Sequence, residues 1–427
     1  MDFTTFSFSA AVSAGIKAAG YSVPTPIQAE AIPTVMAGTD ILGLAQTGTG
    51  KTAAFVLPIL NRLLQGQRGR IRALIIAPTR ELAEQTHQAN ITLGRQTGLR
   101  SAAIYGGVGF QPQVQALKRA DIVVACPGRL LDHIGRNTID LSRVEVLVLD
   151  EADQMFDMGF LPDVRRILKQ LPVQGRQTLL FSATMPESIR RLADEVLRKP
   201  VTIQVGNSAP AETVSHALFP VAQHLKTALL LKLLGNTDTE SVLVFTRTKH
   251  SAKRLGEKLT QAGFSSTSLQ GNLSQTKRQA ALDGFRSGKF QILVATDIAA
   301  RGIDVSGVSH VINFDVPATA EAYIHRIGRT GRAAHLGDAF TLITDDDKQI
   351  VHAINRAVGT PIERRTLADF DYSVVSSDKR SDNSRRRPSS SNGRPKTGAQ
   401  PRDRGGQTPF SWLSSRRPKS RAQSIAR

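Results

Sequence analysis

The stretch Ile41-Leu42-Gly43-Leu44-Ala45-Gln46-Thr47-Gly48-Thr49-Gly50-Lys51-Thr52 decides how the chain is to be read. A short apolar run, Ile41–Leu44, predicts a buried strand, and a helical pattern over Thr52–Leu64 follows at once. Between them Gly48 and Gly50 let the backbone turn its N–H groups inward, and the helix start adds positive dipole, so the turn suits a phosphate. Lys51, expected at the surface of this loop, is placed to reach the β- and γ-phosphates of a nucleotide, and Thr52 to ligate Mg²⁺. The strict phosphate-loop pattern opens on glycine where this chain has Ala45. A plain Gly-rich strand–helix turn is the competing reading, and Gly50-Lys51-Thr52 in this context argues against it.

Working outward, the alternation continues. Apolar runs at Ala73–Ala77, Ile122–Ala125, Val144–Leu149 and Thr178–Phe181 are separated by helical patterns such as Glu81–Gly94 and Glu187–Leu197. Such alternation predicts a parallel sheet covered on both faces. Gly206-Asn207-Ser208-Ala209-Pro210-Ala211 then reads as a linker. The pattern restarts with Val242–Phe245, Ile292–Ala295, Val311–Phe314 and Phe340–Ile343. The expected organisation is an α/β domain over 1–205, a linker over 206–214, a second α/β domain over 215–365 and a basic low-complexity tail over 366–427. Two similar domains suggest a structural duplication, although the halves show no obvious sequence repeat.

Composition agrees. The 427 residues suffice for two domains with their own cores, and the net charge of +19 points to a polyanionic partner. Residues 376–427 carry +11 of that charge with almost no apolar periodicity, which predicts disorder. Such an arm serves either as a solubilising tail or as a nucleic-acid tether. The single cysteine, Cys126, excludes an intramolecular disulfide framework and a Cys-cluster metal site. No basic, apolar leader opens the sequence, and no apolar run is long enough for a membrane helix. A soluble, cytoplasmic protein with no membrane partner is the expectation.

Val148-Leu149-Asp150-Glu151-Ala152-Asp153 closes the run that begins at Val144. Ligands of parallel sheets bind at the carboxyl ends of strands, so these acids should fall beside the phosphate loop. Asp150 is the candidate for Mg²⁺ and Glu151 for the base that orients the attacking water. The order of phosphate loop and Asp-Glu-Ala-Asp resembles the DEAD-box RNA helicases, and further motifs in family order extend the resemblance over Phe3 to Ile343. It implies two tandem RecA-like domains, ATP and Mg²⁺ as cofactors, and RNA as partner.

Within that resemblance, Pro24-Thr25-Pro26-Ile27-Gln28 matches the adenine-reading motif, with Gln28 on the base edge and Tyr21 and Phe3 as its aromatics. Ala45, Gln46, Thr47, Gly48, Thr49, Gly50, Lys51 and Thr52 complete the ATP site, with Asp304 near the ribose. Pro78-Thr79-Arg80, Gly106-Gly107 and Pro127-Gly128-Arg129 correspond to RNA contacts of the first domain. Arg247, Gly271, Gln275, Arg278, Thr296 and Arg301 correspond to those of the second. Each first-domain motif offers N–H, hydroxyl or guanidinium groups to phosphates, which position RNA without reading its sequence. Cys126 stands where the family usually has threonine, and a thiol is the weaker partner. Asp153, Ser182, Thr184 and His325 would couple hydrolysis to unwinding, and Arg329 and Arg332 resemble arginine fingers.

The resemblance implies ATP-dependent local unwinding of short RNA duplexes, with ribosomal precursors and RNA-degradation complexes open as partners. Gln270-Gly271-Asn272 and the spacing around Cys126 look most like the bacterial RhlE group. Three other readings compete: an ATP-independent RNA chaperone or annealing factor, a DNA translocase of the same superfamily, and a phosphoryl-transfer kinase. Intact Lys51, Glu151, Arg329 and Arg332 argue against the first, the adenine motif and Asp153 against the second, and the second domain against the third.

Overall fold

The computed structural model describes residues 2–46, 48–205, 214–237, 239–300, 308–331 and 337–374. The first half of the chain strings together β1 (Ile41–Ala45), β2 (Ala73–Ile76), β3 (Ser101–Ile104), β4 (Ile122–Ala125), β5 (Val146–Leu149), β6 (Gln177–Ser182) and β7 (Val201–Val205). The second follows with β8 (Val214–Pro220), β9 (Val242–Thr246), β10 (Ser266–Leu269), β11 (Ile292–Thr296), β12 (His310–Asn313), β13 (Gly337–Ile343) and β14 (Glu363–Arg364).

Each half closes into one seven-stranded sheet, ordered β3-β4-β2-β5-β6-β1-β7 and β10-β11-β9-β12-β13-β8-β14. Every pairing is parallel. The second order is the first with each strand advanced by seven. The duplication is therefore present in topology although it is not legible in sequence.

The central strands are buried on both faces, as their unbroken apolar runs require. One apolar cluster packs Phe55, Ile75, Val124, Val148 and Phe181 on one face of the first sheet, and another packs Leu74, Val123, Leu147 and Leu180 on the other. Gly43 in β1 is forced by packing, since a Cβ there would lie 2.5 Å from the Phe181 ring. The second sheet repeats the sandwich, with Val242, Val244 and Ile312 on one face and Leu243, Leu293 and Val311 on the other.

Two boundaries differ from expectation. Val214, assigned to the linker, is already the first residue of β8 and pairs with Gly337. Residues 366–374, assigned to the tail, pack on the second domain. Leu367, Phe370 and Tyr372 cover its core, and Asp369 pairs with Lys232 at 2.7 Å. Their apolar surface, buried against that core, repays the entropy of ordering them. The rest of the expected linker and residues 375–427 lie outside the described residues.

Candidate active site and nucleic-acid interface

The phosphate loop leaves β1 at Ala45. Gly48 and Gly50 both take positive φ, and Thr49 Oγ1 closes the turn on Gln46 O at 2.8 Å. Gly50 has no room for a side chain: a Cβ would meet Gln28 Nε2 at 2.5 Å and Thr25 Oγ1 at 2.8 Å. Gln28 is buried behind the loop, donating to Gly50 O at 3.1 Å and accepting from Thr25 N at 3.0 Å. The nitrogen and the oxygen of its amide each keep one bonding position, as the expected adenine edge would need. Phe3 is buried and its ring centroid lies 6.0 Å from that of Tyr21, which is 43% exposed and lines the adjoining cavity.

Lys51 opens the helix Lys51–Leu63 and, contrary to the expected surface position, is only 5% exposed. Its Nζ donates to Ala45 O at 2.9 Å and to Glu151 Oε1 at 3.1 Å. Burial works against the charge, but the carboxylates of Glu151, Asp150 and Asp153 outweigh it and hold the pKa above the ordinary lysine value. The cause is electrostatic: an ammonium beside three acids is drawn inward.

Asp150 and Glu151 follow β5. Burial pushes the Asp150 carboxyl up to about 7, with Lys51 opposing and Glu151 reinforcing the shift. Its Oδ1 is buried with no hydrogen-bond partner. An orphaned carboxylate oxygen beside further acids fits a divalent cation, so Asp150, with Thr52 at the same cavity, suits Mg²⁺. Glu151 takes a left-handed conformation, φ 54°, unusual for a residue with a side chain. Its carboxylate is thereby aimed at Lys51, while Gln154 Nε2 donates to its second oxygen.

Two cavities run along the seam between the halves. The larger, about 1290 Å³, is lined by Tyr21, Gly48, Lys51, Thr52, Asp150 and Glu151 on one side and by Gln275, Gln279 and Arg286 on the other. The second, about 640 Å³, gathers most of the residues expected on RNA. Pro78, Thr79, Arg80, Gly106, Gly128 and Arg129 come from the first half, and Arg247, Gly271, Arg278 and Thr296 from the second. Gly107 turns with positive φ behind Arg80, and Pro127 is buried at the start of the helix Pro127–Gly135. Cys126 also lines this groove, its thiol pushed up to about 12 by burial and then by Glu81, so it stays protonated.

Residues 25–192 match the DEAD/DEAH box helicase family, and residues 225–334 match the helicase conserved C-terminal domain. The DEAD-box ATP-dependent RNA helicase CshA of Bacillus licheniformis is 42% identical over 374 residues, covering 87% of this chain and 76% of that protein. CshA of Bacillus subtilis is 41% identical over 374 residues, covering 87% and 75%. The chain is a DEAD-box ATP-dependent RNA helicase. Among solved structures, S. cerevisiae Dbp5 bound to RNA and ADP BeF3 is 31% identical, with a TM-score of 0.78 over 86% of the helicase and 96% of Dbp5. A DEAD box protein from the hyperthermophile Methanococcus jannaschii is 37% identical, with a TM-score of 0.51 over 86% and 99%. The two RecA-like domains expected of the helicase are thereby shown.

Some site residues of the helicase sit otherwise than expected. The Arg278 guanidinium, expected on RNA, lines the groove and is also held on Glu81 of the first domain at 2.6 Å, with both groups buried. Gln275 lines the nucleotide-side cavity rather than the RNA groove, its Oε1 buried without a partner. Arg329, expected as an arginine finger, is buried within the second domain beside His325 and Arg326 and does not line the nucleotide cavity. Thr47, Arg301, Asp304 and Arg332 lie outside the described residues.

The residues expected to couple hydrolysis to unwinding are joined. Asp153 Oδ2 accepts from Ala183 N at 3.1 Å and from Thr184 N at 2.9 Å, and Ser182 Oγ accepts from Asp153 N at 3.2 Å. Across the seam, His325 Nε2 stands 4.0 Å from Asp153 Oδ2. Sequence reasoning missed the partners. Glu81 was visible only as part of its motif, and 197 residues separate it from Arg278. Arg326 holds Asp297 with two bonds, at 2.6 and 2.7 Å, inside an arginine-rich motif that drew attention to Arg329. No pattern in a single sequence announces either pair.

Proposed function

We propose that this helicase separates short RNA duplexes locally, and remodels RNA or RNA–protein complexes, through ATP hydrolysis stimulated by RNA. One observation carries the reading. Glu81 lines both seam cavities, the acidic one with the phosphate loop and the basic one with the RNA motifs, and its carboxylate is held by Arg278 of the opposite domain. A group shared in this way lets occupancy of one cavity be felt in the other.

In this reading Lys51 leaves Glu151 for the phosphates, which frees the Glu151 carboxylate to orient the attacking water. Thr52 and Asp150 would hold Mg²⁺, which neutralises phosphoryl charge when bound. Gln28 and Tyr21 bind the base, Asp304 approaches the ribose, and Arg329 and Arg332 reach the nucleotide once the domains move together. Arg80, Arg129, Arg247 and Thr296 hold the RNA backbone, joined by Arg301, while Asp153, Ser182, Thr184 and His325 relay closure.

Backbone contacts carry no base information, so ribosomal precursors and RNA in turnover are equally suitable substrates in the cytoplasm. The RhlE-like subgroup rests on Gln270-Gly271-Asn272 and the Cys126 spacing; the relatives quoted above are CshA proteins and lend it no support. The test is ATP turnover and strand separation on a short RNA duplex, with a DNA duplex as control. Turnover that RNA leaves unchanged, or annealing at equal rates with and without ATP, would defeat the proposal.

A further inference from the structure

All the chemistry above sits at the carboxyl ends of the strands. The opposite end of the first sheet carries a charge pattern that this chemistry does not use. Four neighbouring strands, β3-β4-β2-β5, are each preceded by exposed cations: Arg100 before β3, Lys118 and Arg119 before β4, Arg68 and Arg70 before β2, and Arg143 before β5. With strands about 4.8 Å apart, the row is about 14 Å wide. Arg68, Arg70, Lys118 and Arg143 line a single groove of about 450 Å³.

The local acids do not cancel this row. Asp121 is buried, and its two carboxylate oxygens accept the backbone N–H groups of Gly69 at 2.7 Å and Arg100 at 2.9 Å. It fastens the loops that present the cations rather than pairing with their side chains. Asp140 is exposed, and its carboxyl is held below the ordinary value first by its hydrogen bonds to Ser142, with smaller contributions from Arg70 and Arg143. Arg68 donates to Thr97 O at 2.8 Å. Among the described residues, no ion pair at salt-bridge distance engages Arg68, Arg70, Arg100, Lys118, Arg119 or Arg143.

We infer that this face of the first domain is a second RNA-binding surface, which holds the phosphate backbone of RNA extending beyond the catalytic groove. The cations are spread along a row instead of converging on one point, and a spread of point charges fits a polyanion better than a single phosphate or nucleotide. The face is separated from the RNA groove by at least the length of the strands, about 13 Å for four residues. Only RNA with a flank outside the groove reaches it. The inference rests on the RNA-helicase reading but on none of the groove residues.

The experiment uses the full chain with Arg70→Gln, Lys118→Gln and Arg143→Gln combined, and Lys118→Glu alone as a second, milder variant. Three RNAs are compared: a short single strand that fills only the groove, the same strand with a long single-stranded flank, and the same strand with a hairpin flank. The triple variant should bind the short strand, and turn over ATP with it at saturation, as wild type does. It should lose about tenfold in affinity for one or both flanked RNAs at low salt, with a log–log salt slope shallower by about 2. Loss with the hairpin alone assigns the face to duplex, and loss with the single-stranded flank assigns it to single strands. Lys118→Glu should move affinity the same way by a smaller factor, at an unchanged unfolding temperature. Equal affinity for all three RNAs in wild type and variants would overturn the inference and leave an acidic protein surface as the partner. An equal loss on all three would also overturn it, because the effect would then act through the groove. Absence of ATPase stimulation by the short strand in wild type would instead count against the helicase reading.

Discussion

Lys51 and Lys226 occupy the same place in the two halves. Each is the first residue of the helix following the leading strand, β1 or β8, and each is buried. Each reaches toward the chain that leaves the corresponding strand of its sheet, β5 or β12. Lys51 meets Glu151 at 3.1 Å, whereas Lys226 meets the carbonyl of Phe314 at 3.1 Å with the Phe314 ring beside it. Their titration diverges accordingly. Acids overcome burial and raise the Lys51 pKa, while burial dominates and lowers that of Lys226, with Asp315 and Asp347 only partly opposing it. One scaffold thus holds a buried lysine twice, and the residues after a single strand end decide whether acids hold its charge or burial works against it.

The sharpest test of that contrast is to remove both lysines in turn. Lys51→Met should lower RNA-stimulated ATP turnover by ~10²–10³ or more, the usual cost of losing one preorganised charge at a developing anion. Lys226→Met should leave turnover within a few-fold of wild type. Comparable losses in steady-state ATPase assays would erase the distinction between the two sites.

Next in size is the bond between the halves. Breaking one partner of a buried pair costs about 3–5 kcal/mol when the other charge stays buried, and less where the surviving charge, lying between two domains, gains access to water. Glu81→Gln and Arg278→Met should therefore each reduce RNA stimulation by about tenfold while leaving the unfolding temperature of either domain nearly unchanged. The double variant should be no worse than the worse single one, corresponding to a coupling of about 1.4 kcal/mol. Additive losses would show that the two groups act separately.

Asp150 makes the cost of the site measurable. Burial pushes its pKa in the folded protein up to about 7, well above the ordinary aspartate value, so the native state binds the extra proton between those limits. Stability therefore falls as pH rises from about 4 to about 7, and the penalty is complete above that window. Asp150→Asn should raise stability at pH 8 by on the order of 1 kcal/mol or more, change it little at pH 4, and abolish turnover. Denaturant titrations at the two pH values provide the measurement, and an equal change at both would remove the linkage.

The smallest effect belongs to Lys226. Its pKa is lowered on folding, so the unfolded chain binds more protons over the interval below the ordinary lysine value. Stability should rise with pH across that interval, and Lys226→Met should flatten the rise. An alkaline limb unchanged by the substitution would mean that Lys226 is charged and well solvated where it stands.

Legibility followed burial. The central strands β2, β4, β5, β9 and β11 were visible because a strand covered on both faces must be apolar throughout. The edge strands β3 and β10, Ser101-Ala102-Ala103-Ile104 and Ser266-Thr267-Ser268-Leu269, were not, because half-covered positions accept small and polar residues. Thr79, Arg80, Gly106, Arg129, Arg247 and Thr296 were legible as motifs, and the fold brings them to one groove.

The sequence alone determined that the phosphate loop and the paired acids would stand at strand ends, since covalent order and strand–helix alternation leave those groups nowhere else to emerge. Only the tertiary structure decided which charges meet. Lys51 turned inward, Arg278 bound Glu81, and a row of cations gathered from four separate loops at the opposite end of the first sheet. A charge pair depends on a few ångströms between side chains that are far apart in sequence. Local patterning specifies the strand and the helix, and the pairing becomes defined only when the sheet has set its order.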